Sequence, residues 1–131
     1  MKAALKYYWP AILWALFVLL MCSVKLGKVS DSPLFFSGFD KLVHCGFFFV
    51  MTVFTSAGYI TQQSPRTLSF KALFLITVII TAYGGLIEIL QAYVFTWRSG
   101  DWNDLFADMI GVLMAAFSIF ITVKAFGYEK K

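Results

Sequence analysis

Apolar residues run almost unbroken along four stretches of the chain, separated by three short polar connections. The runs predict helices over about 9–26, 42–60, 70–95 and 104–123. Each is close to the roughly 20 residues that a helix needs to cross a bilayer. Polar residues inside the runs are placed with a period. In the third run Thr77, Thr81, Gly84, Glu88 and Gln91 recur at intervals of four and three residues, which keeps them on one seam of a helix packed against neighbours. In the fourth, Asp104, Asp108, Gly111 and Ala115 recur in the same way, and Ala107, Gly111 and Ala115 form a small-xxx-small ridge that lets another helix approach. Gly84 and Gly85 offer the third helix the same kind of close approach. In the second run Asp40 and His44 lie one turn apart, and Phe48, Thr55 and Tyr59 continue roughly along their face. The first run is apolar all round and is expected to complete the bundle while facing lipid. The pattern predicts an all-α fold: a polytopic membrane protein built as one four-transmembrane-helix bundle over residues 1–131.

Composition agrees with the pattern. Of 131 residues, 60% are hydrophobic and only 14% charged, against nearer 25% charged in soluble domains. The mean hydropathy is +0.79. A net charge of +4 does not point to nucleic acid, because the basic residues are scattered among helix ends. With four spans, both tails and the second connection share a side. That side holds Lys2, Lys6, Arg66, Lys71, Lys124, Lys130 and Lys131 against Glu129, while Lys25, Lys28, Lys41 and Arg98 lie on the other. The positive-inside rule then puts both termini in the cytoplasm. The acidic residues Asp31, Asp40, Glu88, Asp101, Asp104 and Asp108 gather toward the outer face.

The connections carry conventional signals. Tyr7, Tyr8 and Trp9 suit an interfacial aromatic belt, and Pro10 suits the first turn of a helix. No small-x-small cleavage site follows the first run, so an uncleaved first helix is expected. The loop GKVSDSPLFFSGF is expected to lie in the outer interface through Phe35, Phe36 and Phe39. TQQSPRTLSFK reads as a polar connector. In TWRSGDWND, Ser99-Gly100 marks a turn, Trp97 and Trp102 are interfacial anchors, and Asp101 or Asn103 can cap the next helix. Cys22 and Cys45 lie in apolar runs and are expected to behave as small hydrophobes rather than as a disulfide.

Periodicity and topology together aim His44, Glu88, Gln91, Arg98, Asp104 and Asp108 at one outer-half layer of the bundle, with Asp40, Lys41 and Asp101 as flanking or capping groups. Carboxylates inside a membrane are costly and generally functional. Four roles are open, one of them proton or ion conduction through the Glu88 layer. The layer can lock the bundle, with Arg98 and Lys41 neutralising Asp104 and Asp40 and with Glu88 hydrogen-bonded to Gln91 or a threonine. It can supply acid–base chemistry or hold a divalent metal for a hydrolase or transferase, although no HExxH signature or serine elbow is present and no metal or cofactor is assigned. Or it can recognise a polar head group at the outer leaflet, with Arg98 suited to phosphate or carboxylate. The partner is then a membrane lipid or lipid-linked precursor.

DKLVHCGFFF followed by GGLIEILQAYVFTWRSGDWNDLFADMIG resembles the VanZ-like family of small bacterial membrane proteins. The resemblance is carried by Asp40, Lys41, His44, Gly84, Glu88, Gln91, Arg98, Asp104, Asp108 and Gly111, and spans roughly residues 40–115. The chain departs from that pattern at Asp108, where asparagine is more usual, at Cys45 for phenylalanine and at Ala115 for glycine. The resemblance implies a four-helix inner-membrane protein of a family named for a member linked to teicoplanin resistance. It implies no chemistry.

Overall fold

A computed structural model describes residues 2–24, 36, 38–95, 97 and 100–127. Four helices account for nearly all of them: α1 (Lys2–Ser23), α2 (Phe39–Gln62), α3 (Phe70–Tyr93) and α4 (Trp102–Ala125). At 1.5 Å per residue the 24-residue helices α2, α3 and α4 are each about 36 Å long, enough for a hydrocarbon core of about 30 Å. All four are long and apolar enough to cross a membrane. The surface supports the same conclusion. Leu13, Leu16, Leu20, Phe74, Leu75, Ile79, Leu113 and Phe117 all point outward. In water this would be a continuous sticky coat; against lipid tails it is an ordinary exterior. The chain is a multi-pass membrane protein with an all-α, four-helix bundle fold.

The helix ends differ from the sequence expectation, for local reasons. α1 begins at Lys2, so Pro10 lies inside the helix rather than in its first turn. The preceding Lys-Ala-Ala-Leu-Lys segment is built of strong helix formers, and a proline removes a single backbone donor from the ladder. α2 begins at Phe39, three residues before 42, from Gly38 in the left-handed conformation at φ 86°, a backbone that glycine adopts without strain. α3 stops at Tyr93 because the Val94 and Phe95 amides both turn back to the Leu90 carbonyl. α4 begins at Trp102, capped by the Asp101 side chain, which accepts from the Asn103 amide at 2.9 Å.

The interior is a seam shared chiefly by α2 and α4. Phe48, Met51, Leu73, Ile76, Ile80, Ile87, Val112 and Val123 fill it, with Val18 and Cys22 from α1. The tightest approach is between backbones. A Cβ placed on Gly111 of α4 would overlap the Cys45 carbonyl of α2. The small-residue ridge of α4 is therefore used against α2. Gly84 faces side chains instead, Asp108 and Phe48, and Gly85 has no neighbour within 4 Å of a would-be Cβ. The close approach expected at Gly84 and Gly85 falls at Gly111. α1 faces lipid along one side only; its other side is tied by hydrogen bonds to its neighbours. Trp14 Nε1 donates to the Phe47 carbonyl at 2.9 Å and Tyr83 Oη donates to the Ala15 carbonyl at 2.7 Å.

Candidate functional site

The polar seams of α2, α3 and α4 meet where α2 and α4 begin and α3 ends. Reading inward from that end, Asp40 and Lys41 sit in the first turn of α2. The Lys41 ammonium bridges three carboxylates: Asp40 Oδ2 at 3.3 Å, Asp101 Oδ2 at 3.3 Å and Asp104 Oδ1 at 3.2 Å. One turn deeper, His44 lies between two aspartates of α4. Its Nδ1 is 3.0 Å from Asp108 Oδ1 and its Nε2 is 3.9 Å from Asp104 Oδ2. Asp104 and Asp108 are one turn apart on α4, so both reach the same imidazole. His44, Asp104 and Asp108 are all buried, Asp108 completely.

The turn between α3 and α4 closes the site over Glu88. The Asp101 amide donates to Glu88 Oε2 at 2.7 Å, and Gly100 is what brings it there. A Cβ on Gly100 would stand 2.8 Å from the Glu88 carbonyl oxygen, so only glycine lets the turn fold back this closely over the end of α3. Asp101 lies just outside the spans. The Asn103 amide, and after it Lys41, hold the Asp101 carboxyl below the ordinary carboxylate value. Trp97 Nε1 donates to the Ser23 carbonyl at 2.9 Å and fastens the same turn to the end of α1. Gln91 Nε2 makes a parallel tie to the Cys22 carbonyl at 2.9 Å.

Two carboxylate oxygens are left over. Glu88 Oε1 and Asp108 Oδ2 are buried and accept no hydrogen bond from any described protein group; the same holds for Gln91 Oε1 and, deeper in α2, for Ser56 Oγ. Buried polar atoms are nearly always satisfied. Both oxygens belong to side chains that lie around His44. One ligand atom each from His44, Glu88 and Asp108 falls within 4.8 Å of the others. Among the described residues, Lys41 is the only side-chain cation and His44 the only imidazole paired with Asp40, Asp101, Asp104 and Asp108, and Glu88 has neither. In such a low-dielectric setting the excess of acceptors favours a bound cation, a proton or a donor-rich ligand.

Of the residues singled out in the sequence, His44, Glu88, Asp104 and Asp108 come together, and Lys41 and Asp101 form their outer boundary. Asp40 is exposed at the rim, where its partner among the described residues is Lys41. Gln91 is turned toward α1 rather than toward Glu88, whose carboxylate is held by the Asp101 backbone and not by Gln91 or a threonine. Arg98, like Phe35 and Ser99, lies outside the described residues. On α2 the buried face runs through His44, Phe48, Met51, Thr52 and Ser56, so Thr55 and Tyr59 sit at its edge, with the Thr55 hydroxyl bonded to the Met51 carbonyl. Thr77 and Thr81 likewise flank the α3 seam, which is lined by Leu73, Ile76, Ile80, Gly84, Ile87, Glu88 and Gln91. The role of the Asp101 amide and the Gly100 close approach had only the Ser-Gly turn signal to announce them. A crevice of about 430 Å³ opens between α2 and α4 at the other end of the bundle, beside Ser56, Ile60, Arg66 and Thr122. Among the described residues no carboxylate or imidazole lines it.

Comparisons with protein-family models, with curated proteins and with solved structures give no match.

Proposed function

We propose that this is a protein of the bacterial cytoplasmic membrane, with both termini in the cytoplasm, whose acidic nest handles the polar head group of an envelope lipid or lipid-linked cell-wall precursor at the outer leaflet. The observation that carries this reading is the grading of the nest. It runs from the half-exposed Lys41 and Asp101 at the end of the bundle to the buried His44, Glu88 and Asp108, about one to two turns within. A head group lying at the membrane face has a polar path into such a nest, while the apolar exterior of the helices accepts its tails. The acceptor-rich lining suits ammonium and hydroxyl groups. Arg98, which follows α3 in the sequence, is of the residue type whose fork of donors suits phosphate or carboxylate.

A purely bundle-locking role is less favoured, because it leaves Glu88 Oε1 and Asp108 Oδ2 without partners at a cost of about 1–3 kcal/mol each. The residues that carry the resemblance to the VanZ-like family include most of those in the nest. A link to glycopeptide susceptibility is proposed on that resemblance alone.

The direct test is lipid recovered with the full-length protein extracted in native membrane discs, identified by mass spectrometry. Enrichment of one envelope lipid class with wild type, lost with Arg98→Ala or Glu88→Gln, supports the proposal. Equal recovery from wild type and both variants refutes it. In a host expressing wild type or Glu88→Gln at matched membrane levels, glycopeptide protection by wild type alone ties the nest to the envelope. Protection by neither removes the glycopeptide link.

A further inference from the structure

We infer that His44, Glu88 and Asp108 form a binding site for a divalent first-row metal ion, of the zinc or manganese class. The inference does not depend on head-group recognition and concerns only the buried inner part of the nest. One imidazole and two carboxylates make a mixed nitrogen–oxygen donor set. Such a set suits zinc or manganese better than soft copper(I), which prefers sulfur, or calcium, which prefers oxygen alone.

The spacing fits. His44 Nδ1 and Asp108 Oδ1 are 3.0 Å apart, and two neighbouring ligands each about 2.1 Å from one ion stand about 3 Å from each other. The same separation therefore serves as a hydrogen bond or as the two legs of a chelate. Three ligand atoms within 4.8 Å of one another share a centre no more than about 2.8 Å from each, so closing to bonding distance takes shifts of less than about 1 Å.

Three further features point to a ligand rather than to a chance meeting of acids. First, Glu88 and Asp108 are respectively 5% and 0% exposed, and each keeps one oxygen without a protein partner. Second, Glu88 Oε2 is held by the Asp101 amide, which fixes that carboxylate, while the contact of Asp108 Oδ1 with Nδ1 is the proton-bound form that an ion on Nδ1 would replace. Each carboxylate also places an oxygen within 4.8 Å of the other two ligand atoms. Third, an outer carboxylate stands behind the imidazole. Asp104 Oδ2 lies 3.9 Å from Nε2, and its Oδ1 is fixed by Lys41 at 3.2 Å. At 3.9 Å this is proximity rather than a hydrogen bond; with metal on Nδ1 the Nε2–H faces Asp104, and a closure of under about 1 Å would give the outer-carboxylate contact that sets the tautomer and basicity of metal-bound histidines. Gly84 leaves room for the arrangement, since a Cβ there would come 2.8 Å from Asp108 Oδ2. Three protein ligands leave at least one coordination position for a further group.

The test uses the full-length protein in detergent micelles, purified without chelator. Its metal content is measured by mass spectrometry, and chelator-stripped protein is titrated with zinc, manganese or cobalt alone. A single divalent ion per chain is expected, with cobalt giving visible ligand-field bands. His44→Ala and Asp108→Ala should abolish the bands, and Asp104→Asn should weaken binding about 10- to 100-fold. Thr61→Ala, exposed at the other end of the bundle, should leave it unchanged. Absence of binding by wild type at micromolar metal overturns the inference, as does equal binding by wild type and the His44 and Asp108 variants. If either variant fails to fold, wild-type stoichiometry and the Asp104→Asn shift decide the matter. Lipid recovery is scored separately, so the metal site and the head-group proposal can fail independently.

Discussion

Gly111→Ala is the sharpest probe of how the bundle builds its site. The added methyl meets the Cys45 carbonyl of α2, backbone against backbone, so no side chain can rotate out of the way. Relief requires α2 and α4 to part by on the order of 1 Å. Overpacking of this kind costs about 1–3 kcal/mol, offset by the roughly 1 kcal/mol that alanine gains over glycine within a helix. Because the relaxation must move the bundle's main interface, the upper part of that range applies, and a net loss of about 2 kcal/mol is expected. Between lipid-immersed helices there is little hydrophobic gain to compensate; close packing is much of what holds them. The separation also carries His44, next in sequence to Cys45, away from Asp108 and stretches their 3.0 Å contact beyond hydrogen-bonding range. Reversible unfolding in mixed micelles, followed by circular dichroism, measures the loss. Gly85→Ala is the paired control: with open space around it, it should be neutral or stabilising by up to about 1 kcal/mol. Equal stability of Gly111→Ala and wild type would refute the close α2–α4 approach and the site geometry that depends on it.

Lys41→Gln removes the cation shared by Asp40, Asp101 and Asp104. Its links to the exposed aspartates are worth little, but Asp104, 9% exposed at its side chain, loses its ion-pair partner, so about 1–2 kcal/mol of destabilisation is expected in the same unfolding assay. The Asp101 cap gives a pH signature. Its carboxyl is held below the ordinary value in the folded protein, so its stabilisation is fully present above the unfolded value of about 3.9 and is lost as pH falls through the folded value. Melting temperatures of wild type and Asp101→Ala should therefore differ at neutral pH and converge in acid; a constant gap would show that the cap does not act through its charge.

Much of this protein was legible in one dimension. Lipid demands that every backbone polar group be satisfied within its own segment, so four apolar runs of spanning length leave little besides four helices. Their order fixes which ends lie together. The period of 3.6 then placed Glu88 on a seam of α3 and Asp104 and Asp108 on a seam of α4, because in a membrane a carboxylate facing outward is the costlier choice. Periodicity says which face a residue occupies but not what lies across from it. That His44 stands between Asp104 and Asp108, that Gln91 turns to the Cys22 carbonyl, and that Gly111 rather than Gly84 takes the close backbone contact are decided by helix rotation and crossing, which follow from packing over the whole interface. The turn is the clearest case. Nothing in TWRSGDWND states that the Asp101 amide returns to Glu88, thirteen residues back along the chain. It does so because Gly100 has no Cβ to hold the turn off the end of α3.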